Sequence, residues 1–376
     1  MGHLSTPMTH LNEKCHSLEG LSGGGGPLPS AIMFGLGVFG NVTALVILEI
    51  RRRRARNTQR IGLFHILVML LVLTDLAGTC LTSPIVQLSY AWNVTLVKMM
   101  PVDNSTSHVC HYFGISMTFF SLSTMLLLFA MALDKCFAIG YPYLYSRHVT
   151  KKWVYVTVPV MFLICTLFCL LPFVKFGKYV QYCPGTWCFI DMNPNEQDDR
   201  VYANLYATIM LVLVLTIVAC NGFVVYHLYK MYKRRSRHGS VMVTTRSSSE
   251  RRTISMNAEV EHLISLVFMT IIFIICTLPL VIRVYINSVQ ADVTKESHDM
   301  DLTALYFISV NPIVDPLVFI IFSPGVLHFM GLSFKVPLGS VRGSVCRSSY
   351  TKRNDSAQLE LSYPTLCKEF QSEEKK

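Results

Sequence analysis

Seven stretches of this chain are apolar for long enough to cross a lipid bilayer, and that count limits what it can fold into. A spanning helix needs roughly 20 mostly apolar residues. The stretches lie near residues 30–51, 62–91, 109–138, 153–174, 201–229, 260–287 and 302–323. Composition agrees, because 15% of the residues are charged where a soluble domain carries about 25%. The expected fold is all-α, a seven-transmembrane-helix bundle over residues 30–323. No internal repeat is visible, which weighs against an inverted-repeat transporter.

Basic residues set the orientation. Loop 51–60 holds six Lys and Arg, loop 140–152 holds three and loop 230–252 holds eight. The three alternate loops share five: Lys98, Lys175, Lys178, Arg200 and Lys295. Cytoplasmic loops carry the basic excess, so the N-terminus is expected outside and the C-terminus in the cytoplasm. The basic clusters that produce the formal charge of +10 are juxtamembrane. Contact with anionic membrane lipid or a cytosolic partner therefore explains them better than nucleic acid. Residues 1–29 read as an extracellular segment in which GGGGPLP (Gly23–Pro29) is flexible and helix-breaking. No charged run precedes an apolar one there, so the first span is expected to act as its own insertion signal. Residues 324–335 read as a short amphipathic cytoplasmic segment, and 336–376 as a disordered polar tail. Several Ser and Thr of that tail are phosphorylation candidates, and Cys346 is a palmitoylation candidate.

In this orientation Cys15, Cys110, Cys183 and Cys188 face an oxidising compartment, where four cysteines allow three pairings. One of Cys183 and Cys188 joined to Cys110 would pin the second outer loop over the bundle, and the other is within reach of Cys15. Asn93-Val-Thr and Asn104-Ser-Thr are glycosylation candidates. Asn41-Val-Thr lies inside a span and Asn354-Asp-Ser in the cytoplasmic tail, so neither is expected to be used.

Charges at membrane depth are costly and are functional suspects. Asp75 lies mid-span, and Asp315 lies in NPIVDPLVF with Asn311 one turn earlier. Asn41 and Thr124 complete a layer that a water or sodium-ion network would satisfy; the plainer reading is a polar cluster that glues helices. Pro279 and Pro316 each remove an intrahelical hydrogen bond and mark kinks. Asp134-Lys135-Cys136 ends the third span, and Glu259 opens the sixth, where a Lys135–Glu259 pair would latch the two helices unless both charges are simply solvated. Arg283, one turn past Pro279, either anchors a ligand or snorkels, and snorkelling is the plainer expectation.

Gly40-Asn41, Asp75, Asp134-Lys135-Cys136 and Asp315-Pro316-x-x-Phe319 resemble the rhodopsin-like G-protein-coupled receptors. QYCPGTWCF (Gln181–Phe189), TSPIVQLSYAWN (Thr82–Asn93) and the run Met117–Cys136 resemble the prostanoid receptors, in particular their prostaglandin E2-responsive, cyclic-AMP-raising group. The resemblance covers about residues 30–335. It implies a plasma-membrane receptor for a lipid-derived carboxylate that enters from the bilayer, with a hairpin lid closed by a disulfide to Cys110. It also implies partnership with a heterotrimeric G protein of the stimulatory class and with arrestin. A Tyr, a Thr and an Arg grip the carboxylate in that family. Tyr90 and Thr186 match the first two, but Tyr306 stands where the pattern has Arg. Thr79, Met117 and Ser309 are further pocket candidates. A lost guanidinium removes a charge-assisted bond worth roughly 1.5–3 kcal/mol. Arg283 is one replacement; otherwise the ligand is a neutral or esterified lipid. Lys135 likewise departs from the family Arg and loses its planar fork.

Other classes fit less well. A channel or transporter needs a polar line through the bundle, whereas Asp75, Asn311 and Asp315 form one layer beneath an apolar half. A retinal protein needs a Schiff-base Lys that the seventh span lacks. No HExxH, GxSxG or P-loop pattern points to an enzyme. A receptor that signals without agonist, or acts as a decoy, remains the second receptor reading.

Overall fold

The computed structural model describes residues 15–16, 18, 20–21, 26–56, 63–99, 108–148, 151–194, 196–237, 246–289 and 295–321. Seven long helices carry the fold: α1 (Pro27–Arg56), α2 (Leu63–Trp92), α3 (His108–Gly140), α4 (Lys151–Leu170), α5 (Gln197–Arg237), α6 (Arg246–Val289) and α7 (Lys295–Ile321). All seven are long and apolar enough to cross a membrane. In lipid the backbone must satisfy its own polar groups, which leaves the helix as the form for isolated apolar spans. Several helices outrun the apolar stretches. α5 starts with Asp198 and Asp199 in its first turn, the sign of charge that the N-terminal end of its dipole favours. The segments 324–335 and 336–376, Cys346, Asn104 and the Glu259 side chain lie outside the described residues.

Two local expectations are corrected. The Pro27-Leu28-Pro29 end of the Gly-rich run is the first turn of α1 rather than a break. Proline is tolerated there because first-turn N–H groups have no intrahelical partner. The loop after α3 contains a seven-residue helix, Pro142–His148, with proline again at its first position.

The helices close a ring in which α1 packs on α2 and α7, α2 on α3, α3 on α4 and α5, α5 on α6, and α6 on α7. α3 is the centre: 56% of its apolar window is buried, against 22% for the α4 span. Pro84, Pro159, Pro279, Pro312 and Pro316 all lie inside helices. Pro316 has no N–H for the carbonyl four residues back, that of Pro312. Asn41 Nδ2 of α1 donates to that carbonyl at 2.8 Å and to Gly37 O at 2.9 Å. Asn41 thus clamps α1 onto the weakened turn of α7.

One end of the bundle carries an antiparallel hairpin, β1 (Tyr179–Tyr182) and β2 (Trp187–Ile190), with Gln181 opposite Cys188 and Tyr182 opposite Trp187. All eight strand residues are buried. Both faces are therefore covered, which explains the absence of polar alternation. Cys110–Cys188 ties β2 to the start of α3, and Cys15–Cys183 ties the turn to the N-terminal segment. Gly185 turns with φ +103° and its carbonyl accepts from Leu96 N at 2.9 Å. A β-carbon there would collide with Thr95, so the turn and the α2–α3 connection fit only through glycine. Gln181 completes the lacing: its Nε2 donates to Cys15 O and Leu18 O, and its Oε1 accepts from Val97 N.

Candidate functional site

Beneath the hairpin, α1, α2, α3, α6 and α7 surround a cavity with about 860 Å³ of empty space, including its open side. Along α2 it runs from Val86 to Asp75, roughly 16 Å at helical rise. Met33, Phe113, Met117, Phe120, Phe273 and Ile308 give it apolar walls; Thr79, Thr82, Ser83, Ser121 and Ser309 add hydroxyls. Thr79, Met117 and Ser309, expected from the sequence, are all on its wall.

The hairpin-end wall is Trp187. Its ring meets Phe113 edge-on at 5.9 Å and Tyr306 at 5.3 Å. Tyr90 lies near Tyr306. Thr186 is fully buried in the turn, and its Oγ1 has no hydrogen-bond partner. Tyr90, Thr186 and Tyr306 therefore do not line the cavity itself; they gather around the indole that closes it.

Arg283 does not snorkel, and it is not a spare cation. It is buried, its Nε donates to Asp301 Oδ1 at 2.7 Å, and Nη2 donates to Asn287 Oδ1 at 3.0 Å. Asn287 Nδ2 donates to both Asp301 oxygens at 3.1 Å, and Asn193 Nδ2 donates to Oδ2 at 2.9 Å. The cause is helix phase: the face of α6 carrying Arg283 and Asn287, an i,i+4 pair, looks at Asp301 of α7. Sequence reading missed Asp301, although the shared face of Arg283 and Asn287 was a usable signal. Next to this node Asp191 follows β2. Its Oδ1 accepts from Asn193 N at 2.9 Å, and burial pushes its carboxyl up to about 6.

At the other end of the cavity lies the polar layer. Thr124 Oγ1 donates to Asp75 Oδ1 at 3.0 Å. Asp75 Oδ2, both Asp315 oxygens, Asn311 Oδ1 and Asn41 Oδ1 are buried without a hydrogen-bond partner. Asn41 departs from the expected network in that its amide donates to α1 and α7 carbonyls rather than to Asp75. That amide joins α1 to α7.

Further along α3, Asp134 accepts from Tyr145 of the seven-residue helix at 2.6 Å. Lys135 is buried, and its Nζ sits 4.6 Å from the centre of the Phe64 ring of α2, a cation–π contact. Cys136 meets the Cys220 thiol of α5. Tyr145 was not foreseen. At the hairpin end Asn93 is exposed and takes a positive φ of 53° just past α2.

Residues 40–319 match the family model described as 7 transmembrane receptor (rhodopsin family). The chain is 46% identical over 330 residues to the prostaglandin E2 receptor EP2 subtype of Mus musculus, covering 85% of this chain and 88% of that one. Against the same receptor of Homo sapiens it is 43% identical over 330 residues, with the same coverage. Squid rhodopsin superposes with a TM-score of 0.66 over 82% of this chain and 79% of that chain at 14% identity, a likeness of fold. These relatives are multi-pass receptors of the plasma membrane rather than enzymes. The chain belongs to the prostanoid receptors, within the rhodopsin family of seven-transmembrane receptors.

Proposed function

We propose that the chain is a receptor for a prostaglandin E2-like lipid that activates the stimulatory G protein and raises cyclic AMP. The observation that carries this reading is the identity to receptors named for prostaglandin E2 over 85% of the chain. A mostly apolar cavity beneath a hairpin suits a lipid chain, and Met117 suits a flexible one. The hairpin end faces outside: it holds both disulfides, and the basic residues Arg51, Arg52 and Arg53 of α1 and Lys233 and Arg234 of α5 lie at the opposite helix ends.

The helix pair α6–α7 supplies the moving part. On the hairpin side of Pro279, α6 is pinned by the Arg283–Asp301 pair and by Asn204–Ser288 and Thr208–Tyr285 bonds to α5. On the other side Asn221 of α5 donates to Thr270 of α6, a neutral bond of 2.8 Å. Agonist that prefers the open state shifts the population by its differential affinity. α6 then swings about Pro279, and the basic loops meet the G protein. Asp75, Asp315 and Asn311 present four unpartnered oxygens that fit a hard monovalent cation such as sodium, with Thr124 holding the other Asp75 oxygen. Sodium there would screen two carboxylates that otherwise repel each other.

The test is cyclic AMP in cells carrying the receptor at their surface, with rising prostaglandin E2. A saturable rise absent from mock cells is the expected result. No response to any prostaglandin, while a control stimulatory receptor responds, overturns the reading.

A further inference from the structure

We propose that this cavity selects a lipid whose polar end is uncharged, an ester, amide or alcohol, over the corresponding carboxylate. The inference rests on the prostaglandin reading above and concerns only the charge on the ligand's head.

Among the described residues no Lys, Arg or His lines the cavity. Its one ionisable side chain among Asp, Glu, Lys, Arg and His is Asp75, an acid, which supplies no positive charge. A carboxylate entering such a space leaves water without gaining a cation, the costliest kind of transfer for an ionised group. A neutral head avoids that cost.

The hydroxyls do not compensate. Thr79 Oγ1 donates to Asp75 O, Thr82 Oγ1 to Gly78 O and Ser309 Oγ to Leu305 O, at 2.8, 2.8 and 2.7 Å. Ser121 Oγ donates to Thr118 O at 3.0 Å. A hydroxyl has one proton and two lone pairs. With the proton turned to its own helix, each presents a lone pair to the cavity. Thr79, Thr82 and Ser309 thus face the cavity as acceptors, unfavourable to carboxylate oxygens, and the remaining polar groups of the wall, Asn311 and Ser83 among them, are neutral.

At the hairpin end the polar groups are neutral as well. Tyr306 packs on Trp187, Tyr90 adjoins it, and Thr186 Oγ1 is buried with no partner. None of the three brings a charge to the indole that closes the cavity. Arg283 is held by Asp301 and Asn287, and turning it toward the ligand would strip a fully buried carboxylate of its cation.

The test uses the full-length receptor in lipid nanodiscs. Prostaglandin E2, its ethanolamide and its 1-alcohol are titrated, with thermal stabilisation giving an apparent Kd for each. The expected result is that both neutral compounds bind wild type at least about tenfold tighter than the acid. Tyr306→Arg, which sets a guanidinium beside Trp187, should reverse that order. Wild type that binds the acid as tightly as the neutral pair overturns the inference and leaves the prostaglandin reading standing. A receptor that melts cooperatively but is stabilised by none of the three removes the prostaglandin reading, and the inference with it.

Discussion

Asp301 and Asp315 sit on the same helix, α7, about four turns apart, and both are fully buried. Asp301 accepts four hydrogen bonds, from Arg283, from Asn287 to each oxygen, and from Asn193. Asp315 accepts none among the described residues, and its neighbour Asp75 accepts one. A fully satisfied buried carboxylate rigidifies what it joins, here α6, α7 and the segment after β2. An unsatisfied one is high in energy unless something else enters or its protonation changes. The same side chain is thus a rivet at the hairpin end and a site in the middle of the bundle.

The rivet carries the largest expected effect. Arg283→Ala leaves Asp301 charged and buried, which costs about 3–5 kcal/mol. Thermal unfolding of the purified receptor should show it, and the Arg283→Ala, Asp301→Ala double variant should lose less than the two singles added. Equal melting of Arg283→Ala and wild type would end the distinction between the two aspartates.

Asp191 is the intermediate case, buried beside the rivet with Lys178, Asp199, Asp301 and Tyr182 around it. Its carboxyl is raised from 3.8 to about 6, chiefly by burial, so the folded state holds the proton more tightly than the unfolded chain. The resulting stability is fully present below about pH 4 and is lost as pH rises through about 6, a change of about 3 kcal/mol. Melting should therefore fall between pH 4 and pH 7. Asp191→Asn keeps the oxygen that accepts from Asn193 N and should flatten the profile. An unchanged slope in that variant would assign the titration to another group.

The membrane layer was the legible part of this molecule. Span length and hydropathy dictate the helices, and Asp75 and Asp315 stood out as acids at membrane depth, whereas Thr79, Met117 and Ser309 came with the family resemblance. Side-chain commitments across helices were not legible. Arg283 looked like a snorkelling or spare cation, because its partner lies 18 residues away and helix rotation decides whether the two face each other. Tyr90, Thr186 and Tyr306 were expected to hold a ligand head, but the wall of the cavity on their side is the Trp187 indole, whose direction depends on the hairpin register. Pro27 and Pro29 read as breakers because composition does not say which proline falls in a first turn.

Asn41 joins the two behaviours in one side chain. Its amide is satisfied by Gly37 and Pro312, whereas its oxygen is not. Asn41→Ala deletes the donor to the carbonyl that Pro316 orphans, and an unsatisfied buried acceptor costs about 1–3 kcal/mol. Melting of the variant measures this. Asn41→Asp, which keeps the shape and loses the donors, should be no better than Ala.

The smallest expected effect bears on the unsatisfied aspartates. If sodium occupies the layer, a concentration about five times its Kd stabilises the receptor by about 1 kcal/mol. The comparison is melting in sodium chloride against equimolar choline chloride, which matches ionic strength. Wild type should melt higher in sodium. Asp75→Asn and Asp315→Asn should each lose the increment, because either removes a charge the ion offsets, while Asp191→Asn at the hairpin end should retain it. If Asp315→Asn keeps the full sodium increment, the ion is not held between the two carboxylates. A proton shared by Asp75 and Asp315 then becomes the better account of how two buried acids coexist without the partners that Asp301 has.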